Sequence, residues 1–117
     1  MSKYKNKKVE IDGYKFDSIK EGNKYIELKN LKVGGIVKDF TVHPKFSIIE
    51  AFEKDGVKHR VRYYIADFDV YYADGMREII DIKPYIKKTG KYFLTAVFLI
   101  KARLFDLKYP DLTLVIE

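Results

Sequence analysis

Cysteine is absent from this chain of 117 residues, which excludes a disulfide framework and a thiolate zinc site and predicts a reducing, cytoplasmic setting. Histidine is nearly as scarce. His43 and His59 lie too far apart for any ligand spacing and are read as structural or surface residues. Proline occurs three times, and each one marks a boundary: Pro44 an edge, bend or break, Pro84 the end of a strand, Pro110 the end of a helix. No apolar run reaches membrane-spanning length, because Lys101, Arg103 and Asp106 interrupt the longest. Lys3, Lys5, Lys7 and Lys8 run into a strand-like segment, so no signal peptide is expected. With no internal repeat, low-complexity tract or dividing linker, the expectation is one domain over 1–117, its first eight residues a basic leader.

What is present argues for a packed globule. The hydrophobic fraction is 47%, with 10 Tyr and 8 Phe. Lys and Arg number 23 against 17 Asp and Glu, a net charge of +6 that makes a polyanion such as nucleic acid a reasonable partner. Val9 to Phe16 alternates around Asp12-Gly13 and predicts a small hairpin. Ser18 followed by Glu21 is a capping box, opening a helix from Ile19 to Val33 that stops at Gly34-Gly35. Ile36 to Phe40 and Val42 to Phe52 read as extended, Glu53 to Gly56 as a turn, and Val57 to Tyr72 as one long strand. A second helix is expected from Tyr92 to Tyr109. Its first half is apolar on nearly every side, which predicts burial on two sides, by the sheet and by a second subunit. Leu112 to Ile116 reads as a closing strand inside a sheet covered on both faces.

The densest chemistry lies in YYIADFDVYYADGMREIIDIK, residues 63–83, two strands joined at Ala73-Asp74-Gly75. Alternation puts Asp67 and Asp69 on one face of the first strand, and Asp81 and Lys83 on one face of the second. Carboxylates gathered beside a lysine repel one another unless a cation intervenes, so the hairpin is a candidate divalent-metal site. Asp67 and Asp81 are embedded in apolar runs, where an unpaired carboxylate is costly. Asp69 is expected beyond the site, meeting solvent. Glu21 aligns with the edge of the helix's apolar stripe, either as a cap alone or as a carboxylate aimed at the sheet.

Asp67, thirteen intervening residues and Asp81-Ile82-Lys83 resemble the D…(D/E)xK signature of PD-(D/E)XK nucleases. The element order, with Glu21 on the first helix, is similar to the αβββαβ core of that superfamily, a restriction-endonuclease-like α/β (α+β) fold whose mixed central sheet is flanked by helices. FDSIKEG, YIADF, DIK and Tyr109-Pro110-Asp111 resemble a family of small phage and prophage proteins assigned to it. Ala66 stands where the signature often has proline.

The resemblance implies a Mg²⁺-dependent DNA endonuclease, Mn²⁺ being able to substitute, acting in phage recombination, replication or packaging in the cytoplasm of a bacterial host. Asp67, Asp81 and the backbone carbonyl of Ile82 would hold the metal, with Glu21 binding directly or through water. Lys83 would orient or help deprotonate the attacking water. Lys101, and Lys87, Lys88 and Lys91 just beyond the site, are candidate phosphate contacts. A homodimeric enzyme resembling Holliday junction resolvases is the expected type. A nicking or sequence-specific endonuclease and a noncatalytic DNA-binding recombination-accessory module are the alternatives.

Overall fold

A computed structural model describes residues 7–117. Lys3 and Lys5 of the leader lie outside the described residues. Strands β1 (Val9–Ile11) and β2 (Tyr14–Phe16) pair antiparallel about Asp12-Gly13, whose φ angles of 53° and 82° suit the two-residue turn predicted there. Helix α1 (Ile19–Val33) begins as its capping residues dictate, the Glu21 amide donating to the Ser18 hydroxyl at 3.1 Å. The hairpin lies directly on this helix. A Cβ placed at Gly22 would approach Val9 Cγ2 to 2.8 Å, so only glycine allows that contact.

The segment after α1 forms β3 (Val37–Val42), β4 (Lys45–Ile49), β5 (Phe52–Lys54), β6 (Val57–His59), β7 (Arg62–Ile65) and β8 (Phe68–Tyr72). The single strand expected over Val57 to Tyr72 is therefore three strands. Its outer part folds with β5 into a hairpin around Asp55-Gly56, and β7 pairs with β4. The break between β7 and β8 at Ala66-Asp67 lies opposite the break at His43-Pro44. His43 N donates to the Asp67 carbonyl at 2.9 Å and Ala66 N to the Pro44 carbonyl at 3.1 Å, so both chains turn together without losing these bonds.

Each break also shifts the alternation of side chains. Val42, Phe68 and Val70 pack toward α1 with Tyr25 and Leu28, whereas Phe46, Ile48, Tyr64 and Ala66 pack with Phe98 and Phe105. Residues of one parity thus change sides across Ala66-Asp67.

Strand β9 (Arg77–Asp81) follows a turn at Ala73-Asp74-Gly75, as predicted, with Gly75 at φ 93°. Then come β10 (Tyr85–Ile86), β11 (Lys91–Tyr92), helix α2 (Ala96–Lys108) and β12 (Leu114–Ile116). The expected start of the second helix at Tyr92 is corrected. Tyr92 pairs with Tyr85, and Thr95 is the N-cap, accepting from the Phe98 amide at 3.1 Å.

The fold is mixed α+β. Its main sheet has the order β12-β9-β8-β3, antiparallel except that β12 runs parallel to β9. Strand β12 lies at the edge of this sheet, and its half-buried residues are covered on both faces as its apolar run predicts, Val115 toward α1 and Leu114 and Ile116 toward α2. Ile80 and Ile82 pack toward α1 and Ile79 toward α2, so the helices cover opposite faces. Among the described residues no helix is long and apolar enough to cross a membrane.

Candidate active site

The start of α1, the two breaks and the end of β9 converge. Asp67 N donates to the Ile80 carbonyl at 3.0 Å, and the Ile82 amide donates to Asp67 Oδ2 at 2.6 Å. Asp67 is thereby set across from Asp81. Pairing sets the two acids opposite one another, near enough for the Asp81 charge to act on Asp67, but the ligand atoms gathered around Asp67 are those of Glu21 and His43 and do not include Asp81. Asp67 falls in the break rather than on the strand, so it does not share a face with Asp69, and its carboxylate meets Glu21 instead.

Glu21 is buried and keeps its capping geometry, with the Ser18 hydroxyl 3.4 Å from its Oε2. Both readings of this residue therefore hold structurally: it caps the helix and faces the sheet. Burial is the main reason that the Asp67 carboxyl is pushed up to about 8. The hydrogen bond and charge of Glu21 add to this, as does the charge of Asp81, while the Ile82 amide works in the other direction.

Asp81 is 4% exposed. It accepts a very short hydrogen bond from the Tyr64 hydroxyl and pairs with Lys83 Nζ at 2.9 Å, so Asp81 and Lys83 share a face as alternation requires. Burial, followed by the Asp81 charge, raises Tyr64 well above its ordinary value, which keeps the phenol protonated as a donor. Lys83 Nζ also stands 4.1 Å from the centre of the Phe98 ring, on the first turn of α2. A cavity of about 260 Å³ is lined by Tyr64, Asp81, Lys83, Thr95, Phe98 and Lys101. Backbone pairing with the last strand steadies this segment: Lys83 N donates to the Glu117 carbonyl at 2.9 Å, and Glu117 N to the Asp81 carbonyl at 3.0 Å.

Two site residues were not evident from sequence. His43 was expected to be structural or a surface residue, yet one of its ring nitrogens lies within 4.8 Å of carboxylate oxygens of both Glu21 and Asp67. That group of three is a possible cation-binding set, which the spacing of 22 and 24 residues along the chain concealed. The local signal was Pro44, because the bend it marks places His43 at φ 53° with its ring 5.7 Å from Phe16. Tyr64 gave no signal beyond its place three residues before Asp67.

Asp69 is a correction. Rather than meeting solvent it is 6% exposed and held by both nitrogens of an Arg77 fork, at 2.9 and 2.7 Å. Arg77 is its diagonal neighbour on β9, a cross-strand relation that two-stranded pairing creates. Lys101 lines the cavity with Asp81 and Lys83. Lys87, Lys88 and Lys91 are exposed on or beside the short β10–β11 hairpin and do not line that cavity.

All of residues 1–117 match a family described as a protein of unknown function, DUF1064. The chain belongs to this DUF1064 family. No curated protein and no solved structure matches it. In this member of the DUF1064 family the groups able to bear chemistry are Glu21, His43, Asp67, Asp81 and Lys83.

Proposed function

We propose that this chain is a divalent-metal-dependent DNA endonuclease with a PD-(D/E)XK-type core. The observation that carries the reading is the setting of Asp67 across from Asp81, with Lys83 paired to Asp81 and Glu21 delivered to Asp67 from α1. The order α1, β3, β8, β9, α2, β12 and the sheet order β12-β9-β8-β3 support it. So does the charge of +6, which suits a phosphate backbone.

The donor set fits a small divalent cation. The buried carboxylates of Glu21 and Asp81 and the half-buried one of Asp67, held protonated for lack of a counter-charge, are relieved when a cation enters. Asp67, Asp81 and Glu21 would hold Mg²⁺, with the Ile82 carbonyl a further oxygen ligand. His43 adds a nitrogen donor, which favours Mn²⁺ as an alternative. A bound Mg²⁺ supplies an activated water and neutralises charge on the scissile phosphate. Lys83 would orient the attacking water and balances the acids through its ion pair with Asp81, and Tyr64 fixes the direction of the Asp81 carboxylate. Lys101 contacts the phosphate across the cavity.

A groove of about 570 Å³ adjoins the site, with apolar Ile49, Ile65, Val97 and Ile100 and the shared residue Lys101 in its lining. Val97 and Ile100 are each more than 60% exposed, an apolar surface suited to pairing with a second copy. A homodimer formed there would suit a branched substrate resembling a Holliday junction, in phage recombination, replication or packaging. In sedimentation at micromolar concentration, wild type is expected to be dimeric and Ile100→Glu monomeric. A wild type that remains monomeric at high concentration removes the junction-resolving form of the proposal. Phe98 lies buried beneath Lys83 and takes no part in this surface.

The test of the activity itself is incubation with Mg²⁺ or Mn²⁺ and linear, nicked, flap and four-way-junction DNAs. Symmetric cuts at the junction are expected. Cuts in plain duplex would instead indicate a nicking or sequence-specific enzyme. No cleavage with any divalent ion would reduce the chain to a DNA-binding accessory module.

A further inference from the structure

We infer that the β5–β6 hairpin is a second nucleic-acid contact, at which the Phe52–His59 ring pair receives an unpaired base while neighbouring cations hold its flanking phosphates. The choice of nucleic acid over another polyanion rests on the nuclease reading. The contact itself rests on the hairpin, all six of whose strand residues are exposed.

Pairing of Phe52 with His59 and of Lys54 with Val57 puts these four side chains on one face, and Glu53 with Lys58 on the other. The first face thus carries two aromatic rings, a valine and a lysine, with no carboxylate. Its rings are stacked at 4.5 Å and 21°, with Phe52 half exposed and in neither core. Exposed, flat and preassembled, this pair offers a platform on which a base stacks whatever its identity. Arg60 and Arg62 follow immediately and are exposed; with Lys54 they form no ion pair among the described residues. Of the nearby acids, Glu50 is neutralised by Lys108, Glu53 faces Lys58, and Asp55 lies in the turn at the tip.

The hairpin is also held ready. Asp55 and Gly56 at φ 51° and 77° make a tight two-residue turn that needs no packing to keep its shape. His59 precedes Asp67 by eight residues, which at strand rise places the ring pair within about 26 Å of the acid, less than one turn of duplex. One branched DNA can therefore reach both.

The experiment measures fluorescence anisotropy in metal-free buffer, with labelled plain duplex and the same duplex carrying unpaired nucleotides. Wild type is expected to prefer the latter. Phe52→Ala and His59→Ala should each lose roughly five- to a hundred-fold on the unpaired DNA and little on plain duplex. Lys54→Gln and Arg60→Gln should weaken both, each lowering the salt slope by about 0.9 on duplex. Thermal melts run alongside separate binding from mere hairpin stability. If Phe52→Ala changes only the melt and binds every DNA as wild type does, the inference is overturned. Parallel cleavage assays distinguish the two readings. A wild type that stacks bases through this hairpin but never cuts overturns the nuclease alone, whereas one that cuts while the hairpin variants bind normally overturns the hairpin alone. A wild type that neither binds nor cuts overturns both.

Discussion

Asp81→Ala is expected to slow DNA cleavage in Mg²⁺ by at least about 10³-fold, since removing a ligand from a metal-assisted hydrolysis costs several kcal/mol of barrier. DNA binding should remain measurable, because the phosphate contacts lie on Lys101 and on exposed basic residues elsewhere. The substitution also strips Tyr64 and Lys83 of their acceptor. Lys83 is 24% exposed and can turn to solvent, but the Tyr64 hydroxyl is buried, so Asp81→Asn is the companion variant that retains a hydrogen-bond acceptor for it. Both should be inactive and both folded by circular dichroism. Lys83→Ala should lose turnover with little change in metal affinity, which metal titration of the cleavage rate separates. Full activity in Asp81→Ala would remove the site assignment altogether.

The second large effect is on stability without metal. In the unfolded chain the Asp67 carboxyl gives up its proton near ~3.9, whereas burial and Glu21 hold that proton in the native protein up to about 8. Between those values the native state binds more protons than the unfolded one. Stability therefore falls as pH rises through this window, the reverse of a carboxylate in a salt bridge. The metal-free melting temperature is expected to drop by several degrees between pH 5 and pH 8, at roughly 4–8 °C per kcal/mol for a domain of this size. Millimolar Mn²⁺ or Mg²⁺ should restore it at pH 8 and change little at pH 5, where protons compete with the ion. Glu21→Gln should lessen the pH dependence without abolishing it, since burial remains the main cause. A melting temperature that neither falls with pH nor responds to a divalent ion would contradict the cation site.

Much of this arrangement was legible in the sequence because its causes are local. Ser18 and Glu21 fix the start of α1, Asp12-Gly13 and Asp74-Gly75 fix two turns, and alternation puts Asp81 beside Lys83. Asp81 and Lys83 needed only the strand alternation, whereas Asp67, read as a strand residue, lies in the break before β8. Errors arose where pairing partners intervene from a distance. Strand propensity carried Val57 to Tyr72 through as one element, since nothing local announces that Ala66-Asp67 must match a bend at His43-Pro44. The same distant match brings His43 to Glu21 and Asp67, which no spacing rule registers. Asp69 was misjudged because a period-two pattern cannot show that Arg77 lies diagonally across from it. The excess apolar character of the second helix has a mixed outcome: Phe98 and Phe105 enter the core, while Val97 and Ile100 stay uncovered in the single chain.

The paired bends have a consequence for how the site can fail. Because side chains change sides there, the two acids are served by separate cores, Asp67 through Glu21 and Asp81 through Tyr64. Glu21 keeps its place through the packing of Phe16 and Tyr25, and Tyr64 keeps its place through Phe105 and Phe98. A defect in one core withdraws one partner and leaves the other standing. Loosening the α1 side would free the acid's proton partner without disturbing Asp81, and loosening the α2 side would misdirect Asp81 without disturbing Glu21. Two classes of lesion, one read in metal affinity and pH response and the other in turnover, are thereby kept apart by a single crease in the sheet.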